Sequence, residues 1–160
     1  MIVSNATPLI AFARIGQLGL LQEIVKSIII PKAVALEIST YDQDKTGSID
    51  LLREQWISVR EIASQQQVSL LLPTLDRGES EVIVLALEQK APLVLIEELA
   101  ARQVCKSLNI PITGSIGILI KAKQLGKIAA VKPYIETMQQ QGIYYSQKFI
   151  DLVLQTVAEG

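Results

Sequence analysis

The chain has no histidine and a single cysteine, Cys105. Those two shortages remove most side-chain catalysis, because no imidazole is available and neither a disulfide framework nor a zinc cluster can be built from one thiol. With nothing basic of low pKa to pair with it, Cys105 reads as a small core hydrophobe. A lone thiol is consistent with a reducing compartment. An excess of one charge is missing too: 15 Lys and Arg face 16 Asp and Glu, for a net charge of −1. The overall balance therefore gives no support to nucleic-acid binding, and any such function must rest on how the charges are distributed. No apolar run reaches the ~20 residues of a membrane span. The opening MIVSNATPLIAFARIG lacks the basic start of a leader peptide. No internal repeat is visible, and no G-x-G-x-x-G follows the first strand, which argues against a dinucleotide enzyme. These absences lead to the expectation of a cytoplasmic protein with no membrane association.

The 160 residues, 49% of them apolar, suit a single domain over 1–160 with a sizeable core. The helices of about 131–158 are part of that domain or a small appendage to it. Short apolar runs alternate with helical periodicity, the pattern of an α/β protein. Strands are expected at Met1–Ser4, Ile28–Ile30, Trp56–Ile62, Leu93–Ile96 and Ile110–Ile112. The first helix is expected to follow the turn Asn5–Pro8, with Thr7 as N-cap and Pro8 at the first helical position. Gly16 breaks it before a second helix, Leu18–Val25. Further helices are expected from Pro31 to about Ser39, at Ile49–Gln55, Ser64–Leu72, Glu79–Gln89, Glu98–Leu108, from Thr113-Gly114-Ser115 to Leu125–Gly126, and at about Val131–Gln141 and Ser146–Ala158; Tyr41–Ser48 is a polar loop. A parallel sheet covered by helices on both faces is the architecture this order favours. In such sheets the site lies off the carboxyl ends of the strands.

Carboxylates stand where apolar segments end or polar ones begin: Glu37, Glu79, Glu97 and Glu98, with the polar Asn5 closing the first strand. Glu79 shares a helix face with Val82, Ile83 and Ala86, although a first-turn carboxylate is also favoured by the helix dipole alone. Glu97 follows four apolar residues and ends their strand. Glu98 adjoins it, and two adjacent carboxylates repel unless a positive charge is near. A solvated pair at a helix start is the plainer alternative. Glu37 lies beside a buried stripe, or simply on the surface, and Asn5 also suits an Asx-turn. Together Asn5, Glu37, Glu79 and Glu97 would make a hard, oxygen-rich site suited to Mg²⁺ or Mn²⁺. Such an ion activates water and stabilises charge on a phosphoryl oxygen without histidine.

The charge order is lopsided. Between Leu99 and Ile135 stand Arg102, Lys106, Lys121, Lys123, Lys127 and Lys132, with no acid among them. Phosphate contacts would lie there, and ordinary solvated helix faces are the alternative. Thr113-Gly114-Ser115 suits either a helix cap or a phosphate cradle.

At these residues the chain resembles the PIN-domain superfamily, in particular the small prokaryotic branch related to VapC-like toxin ribonucleases. The resemblance runs through IVSNATPLIAFARIG, IPKAVALEI, LDRGESEVIVLALE, LVLIEELAAR and PITGSIGILIKAK. It implies a three-layer α/β/α fold with a central, mostly parallel sheet. It also implies Mg²⁺- or Mn²⁺-dependent cleavage of RNA. The family's four acids fall on Asn5, Glu37, Glu79 and Glu97, with Glu98 able to substitute as a metal ligand. Thr113 and Ser115 fall where members supply further ligands or hydrogen bonds, and Arg102, Lys121 and Lys123 are substrate-binding candidates. Two departures stand out: Asn5 replaces an acid, and Glu97 is one methylene longer than the usual Asp. An antitoxin protein is the implied partner of a toxin, and a homodimer is expected from the apolar helices Leu18–Val25 and Ile116–Ile120.

Three functions therefore compete: a metal-dependent endoribonuclease, a nuclease-dead RNA- or protein-binding module of the same fold, and an unrelated phosphoacceptor domain. The last needs an Asp at the end of a central strand. None of Asp42, Asp44, Asp50, Asp76 and Asp151 stands at one.

Overall fold

In a computed structural model, which describes residues 1–41 and 46–160, five strands form one parallel sheet. They are β1 (Ile2–Ser4), β2 (Ile28–Pro31), β3 (Ile57–Arg60), β4 (Val94–Leu95) and β5 (Ile112–Thr113). Their spatial order is β3-β2-β1-β4-β5. Nine helices are described: α1 (Ala6–Arg14), α2 (Leu18–Val25), α3 (Lys32–Thr40), α4 (Gln65–Leu71), α5 (Arg77–Gln89), α6 (Leu99–Ser107), α7 (Ser115–Gln124), α8 (Lys132–Gln140) and α9 (Gln147–Thr156). The result is the expected three-layer α/β/α fold.

The three inner strands, β2, β1 and β4, are buried along most of their length. Val3, Ile28, Ile29, Ile30, Val94 and Leu95 have no exposed surface, and each such side chain contributes roughly 1.5–3 kcal/mol by leaving water. Helix α5 packs on β1 and β2 and meets α3 and α4, while α2 packs on α7. The β1 strand is central, with Val3 in register with Ile29 of β2 and with Val94 of β4. From β1 the chain moves outward through β2 to β3, then crosses back to lay β4 on the other side of β1. The order of strands thus reverses between β1 and β4. In open parallel sheets a crevice forms off the carboxyl ends at that reversal, and here those ends carry Asn5 and Glu97.

Several boundaries differ from the sequence reading. Asn5, not Thr7, holds the N-cap position of α1, and Pro8 lies in the first turn; the first-turn N–H groups lack intrahelical partners, so proline is tolerated there. Residues 49–55 form turns, not a helix. The Asp50 side chain and carbonyl accept from the N–H groups of Leu52, Arg53 and Glu54. That local competitor wins over a segment too short to nucleate a helix. Helix α5 starts at Arg77, two residues early, because Asp76 caps it. The last strand falls at Ile112–Thr113, since the Ile110 N–H is engaged by the Cys105 carbonyl at the end of α6, where Asn109 turns left-handed at φ 58°. Of the expected loop Tyr41–Ser48, Asp42 to Lys45 lie outside the described residues, so Asp42 and Asp44 do too. Asp50, Asp76 and Asp151 end no strand. Cys105 is fully buried in the core, and desolvation raises its thiol to about 11, so little of the reactive thiolate forms near neutral pH.

Candidate functional site at the strand ends

Asn5 closes β1, its N–H bonded to the Leu95 carbonyl of β4 at 2.9 Å. An asparagine at an N-cap ordinarily accepts a hydrogen bond from the first turn of its helix. This one makes no such bond. Its Oδ1 is buried without a hydrogen-bond partner, an arrangement that normally costs about 1–3 kcal/mol. The oxygen faces Gly78, where an added Cβ would come within 3.5 Å of it and would overlap Glu37 Oε1. The absence of a side chain at Gly78 thus lets the oxygens of Asn5 and Glu37 approach one another above the start of α5.

Glu79 is buried on the same helix start. Its Oε1 accepts from the Asp76 N–H at 3.1 Å while its own N–H donates to Asp76 Oδ1 at 2.7 Å, a reciprocal capping box. Glu79 thus completes the cap at the start of α5. Desolvation, then the charges of Asp76 and Glu79, raises the Glu37 carboxyl above the ordinary range. Glu79 is raised as well, first by burial and further by Asp76 and Glu98, against the opposing hydrogen bond from the Asp76 N–H. Negative charge is thus disfavoured at the start of α5, where Glu37, Asp76 and Glu79 act on one another, and a cation would be welcome there.

Glu97 sits across the crevice in a different environment. Its Oε1 accepts from the Ser115 N–H at 2.5 Å and the Ser115 Oγ–H at 2.7 Å. Its Oε2 lies over Gly114, where a Cβ would come within 2.8 Å. The carboxylate thereby ties β4 to the first turn of α7. Arg102 donates to the Ile96 carbonyl at 3.0 Å and stands beside the same glycine. Glu98 is exposed at the N-cap of α6. Thr113 Oγ1 packs over Gly117.

The lysines lie elsewhere. Lys121 and Lys123 are in the last turn of α7, and Lys123 donates to the Val157 carbonyl at 2.5 Å and pairs with Glu159 at 2.9 Å. The structure thus gathers Asn5, Glu37 and Glu79 about the start of α5, lines one cleft with Glu97, Glu98, Ser115 and Arg102, and leaves Lys121 and Lys123 in the last turn of α7.

Among the described residues, no three acidic or thiol side chains converge as a ready-made metal cage. Magnesium does not require one: it retains water and is commonly held by one or two carboxylates together with substrate phosphate. A neutral amide oxygen without a partner beside a carboxylate oxygen is a donor set of the right hardness, so the residues present fit such an ion.

Sequence reasoning passed over Asp76 and Gly78. The first was legible, since Asp76 followed three residues later by Glu79 is a capping-box spelling. Gly78 carried no local signal, because what it accommodates comes from β1 and α3.

The architecture and crevice define a class: parallel α/β/α proteins with oxygen-rich sites at the reversal of strand order. A family model described as a PIN domain matches residues 1–159, and the chain belongs to that family. No curated protein and no solved structure matches it.

Proposed function

We propose that the chain is a metal-dependent endoribonuclease, with Mg²⁺ or Mn²⁺ held by Asn5, Glu37 and Glu79. The observation that carries this reading is the buried, unpartnered Asn5 Oδ1 facing Glu37 across a glycine. When bound, the ion supplies Lewis-acid activation of water and charge neutralisation at a phosphoryl oxygen. The chain does the rest. Asn5 and Glu37 orient the donor oxygens, and Glu79 fixes the start of α5 against them through its bond to Asp76. Glu98 adds an exposed carboxylate next to Glu97. Glu97 is a positioning residue in this scheme: it holds Ser115 and with it the far wall of the crevice. A toxin role with an antitoxin partner is the finer form of the same proposal, and co-purification with the product of a neighbouring gene would test it.

Titration calorimetry with Mn²⁺ should show binding to the wild type. Binding should be lost in Glu79→Ala and in Gly78→Ala, the second because its methyl displaces the Glu37 carboxylate without removing an acid. Mn²⁺-dependent cleavage of RNA should disappear in both variants. Retention of cleavage by both, in nuclease-free preparations, rejects the proposal.

A second reading is favoured by a specific observation. Both hydrogen bonds of Ser115 engage Glu97 Oε1, and Asn5 contributes no charge, which suits a binding module of the same fold that no longer cuts. That reading predicts no Mn²⁺ binding by the wild type and its appearance in the double variant Asn5→Asp with Glu97→Asp.

A further inference from the structure

Beside the acids runs a cleft of about 690 Å³ between α1, the start of α6 and the segment joining α8 to α9, lined in part by Arg14, Glu98, Arg102, Tyr144, Tyr145 and Phe149. The chain is poor in aromatics, with one Trp, four Tyr and two Phe, yet three of these rings meet here within six positions. Tyr144 is 84% exposed and Phe149 41%. The rings rest on a fixed base. Tyr145 packs on Phe149 at a centroid distance of 5.9 Å with the planes tilted by 33°, and its hydroxyl meets Met138 Sδ at 3.7 Å. Arg14 donates to the Gln141 carbonyl, pinning the segment to α1. Tyr145 lines the cleft together with Glu97, and burial, with the charge of Glu97 after it, raises its hydroxyl well above the usual range.

Exposed aromatic rings beside guanidinium groups are what unpaired nucleobases and their phosphates recognise. A base in a duplex already has both faces stacked, whereas an unpaired one offers a free π-face. We propose that Tyr144 and Phe149 form a stacking platform for an unpaired base adjoining the phosphate at the acids, with Arg14 and Arg102 facing the backbone. This rests on the ribonuclease reading for its substrate, and the platform takes a base with little sequence preference because every base has a π-face.

The test is fluorescence anisotropy of a labelled seven-nucleotide oligoribonucleotide with EDTA present, against wild type, Tyr144→Ala and Tyr144→Trp, with the same sequence as a duplex alongside. Tyr144→Ala should weaken single-strand binding by roughly five- to a hundredfold. Tyr144→Trp should retain it, and the duplex should bind more weakly than the single strand. Equal binding by Tyr144→Ala and wild type, equal binding of duplex, or no binding by the wild type overturns the platform. Because chelator is present, the two proposals fail separately. Tyr144-dependent binding without any Mn²⁺-dependent cleavage rejects the nuclease and keeps the platform. Cleavage and binding both indifferent to Tyr144 reject the platform and keep the nuclease.

Discussion

Glu37 faces solvent on one side and the carboxylates of Asp76 and Glu79 on the other. Its raised pKa comes from desolvation first and from those charges second, and it fixes the sign of a pH effect. A carboxyl that holds its proton more tightly when folded favours the native state at low pH, and that advantage fades as pH rises from 4.5 through the folded value. In metal-free protein at pH 7 the ionised Glu37 is therefore a liability. Glu37→Gln should raise the melting temperature there, by less than about 1 kcal/mol in stability terms given its solvent screening. The difference should vanish well below pH 4.5, and thermal melts across that range decide it. A variant less stable than wild type at pH 7 would show that Glu37 makes a favourable contact that outweighs the repulsion.

Among the elements, α5 carries the most information. Its boundary depends on Asp76, whose side chain both caps the helix and presses charge on Glu37 and Glu79. Two substitutions separate those effects. Asp76→Ala should cost about 1 kcal/mol in urea unfolding, the usual worth of a cap. Asp76→Asn keeps an acceptor while removing the charge, and should lose less than that or gain. Equal losses in the two would mean that the cap is irrelevant. The existence of the strands and of most helices was legible because apolar runs and helical periodicity are local properties. The strand-end positions of Asn5 and Glu97 followed from the same runs. Part of what escaped was local, since the turns at 49–55 are set by Asp50 bonding its own neighbours, and part was not. The engagement of Glu97 by Ser115 joins residues eighteen apart in sequence. The clearest misreading of local signal was Thr7, offered as a cap because Pro8 follows it, where a first-turn proline served equally well.

At the scale of the whole molecule, no helix among the described residues is long and apolar enough to cross a membrane. The apolar side chains that suggested a dimer are largely engaged within one chain: Leu21, Val25, Ile116, Ile118 and Leu119 are buried, and Leu18, Leu20, Ile24 and Ile120 pack on the same core. The chain's last turn is fastened by Glu159, which accepts from the N–H groups of Val131 at 2.7 Å and Lys132 at 2.9 Å and pairs with Lys123. Although burial pushes the other way, these donors hold its carboxyl below the usual range. The sign is opposite to that of Glu37, because a depressed folded pKa adds stability above the unfolded value and loses it as pH falls. Glu159→Gln should lower the melting temperature by about 2–4 °C at pH 7 and have no effect in acid. An unchanged midpoint at pH 7 would remove the clamp. The strand order has a consequence in time as well as in space. Asn5 leaves the ribosome before the strands that flank β1, since its neighbours arrive with β2 and, much later, with β4. Pairings so distant in sequence are slow to close, so the crevice cannot assemble on a half-made chain. A protein built this way keeps that face unformed until β4 has been synthesised.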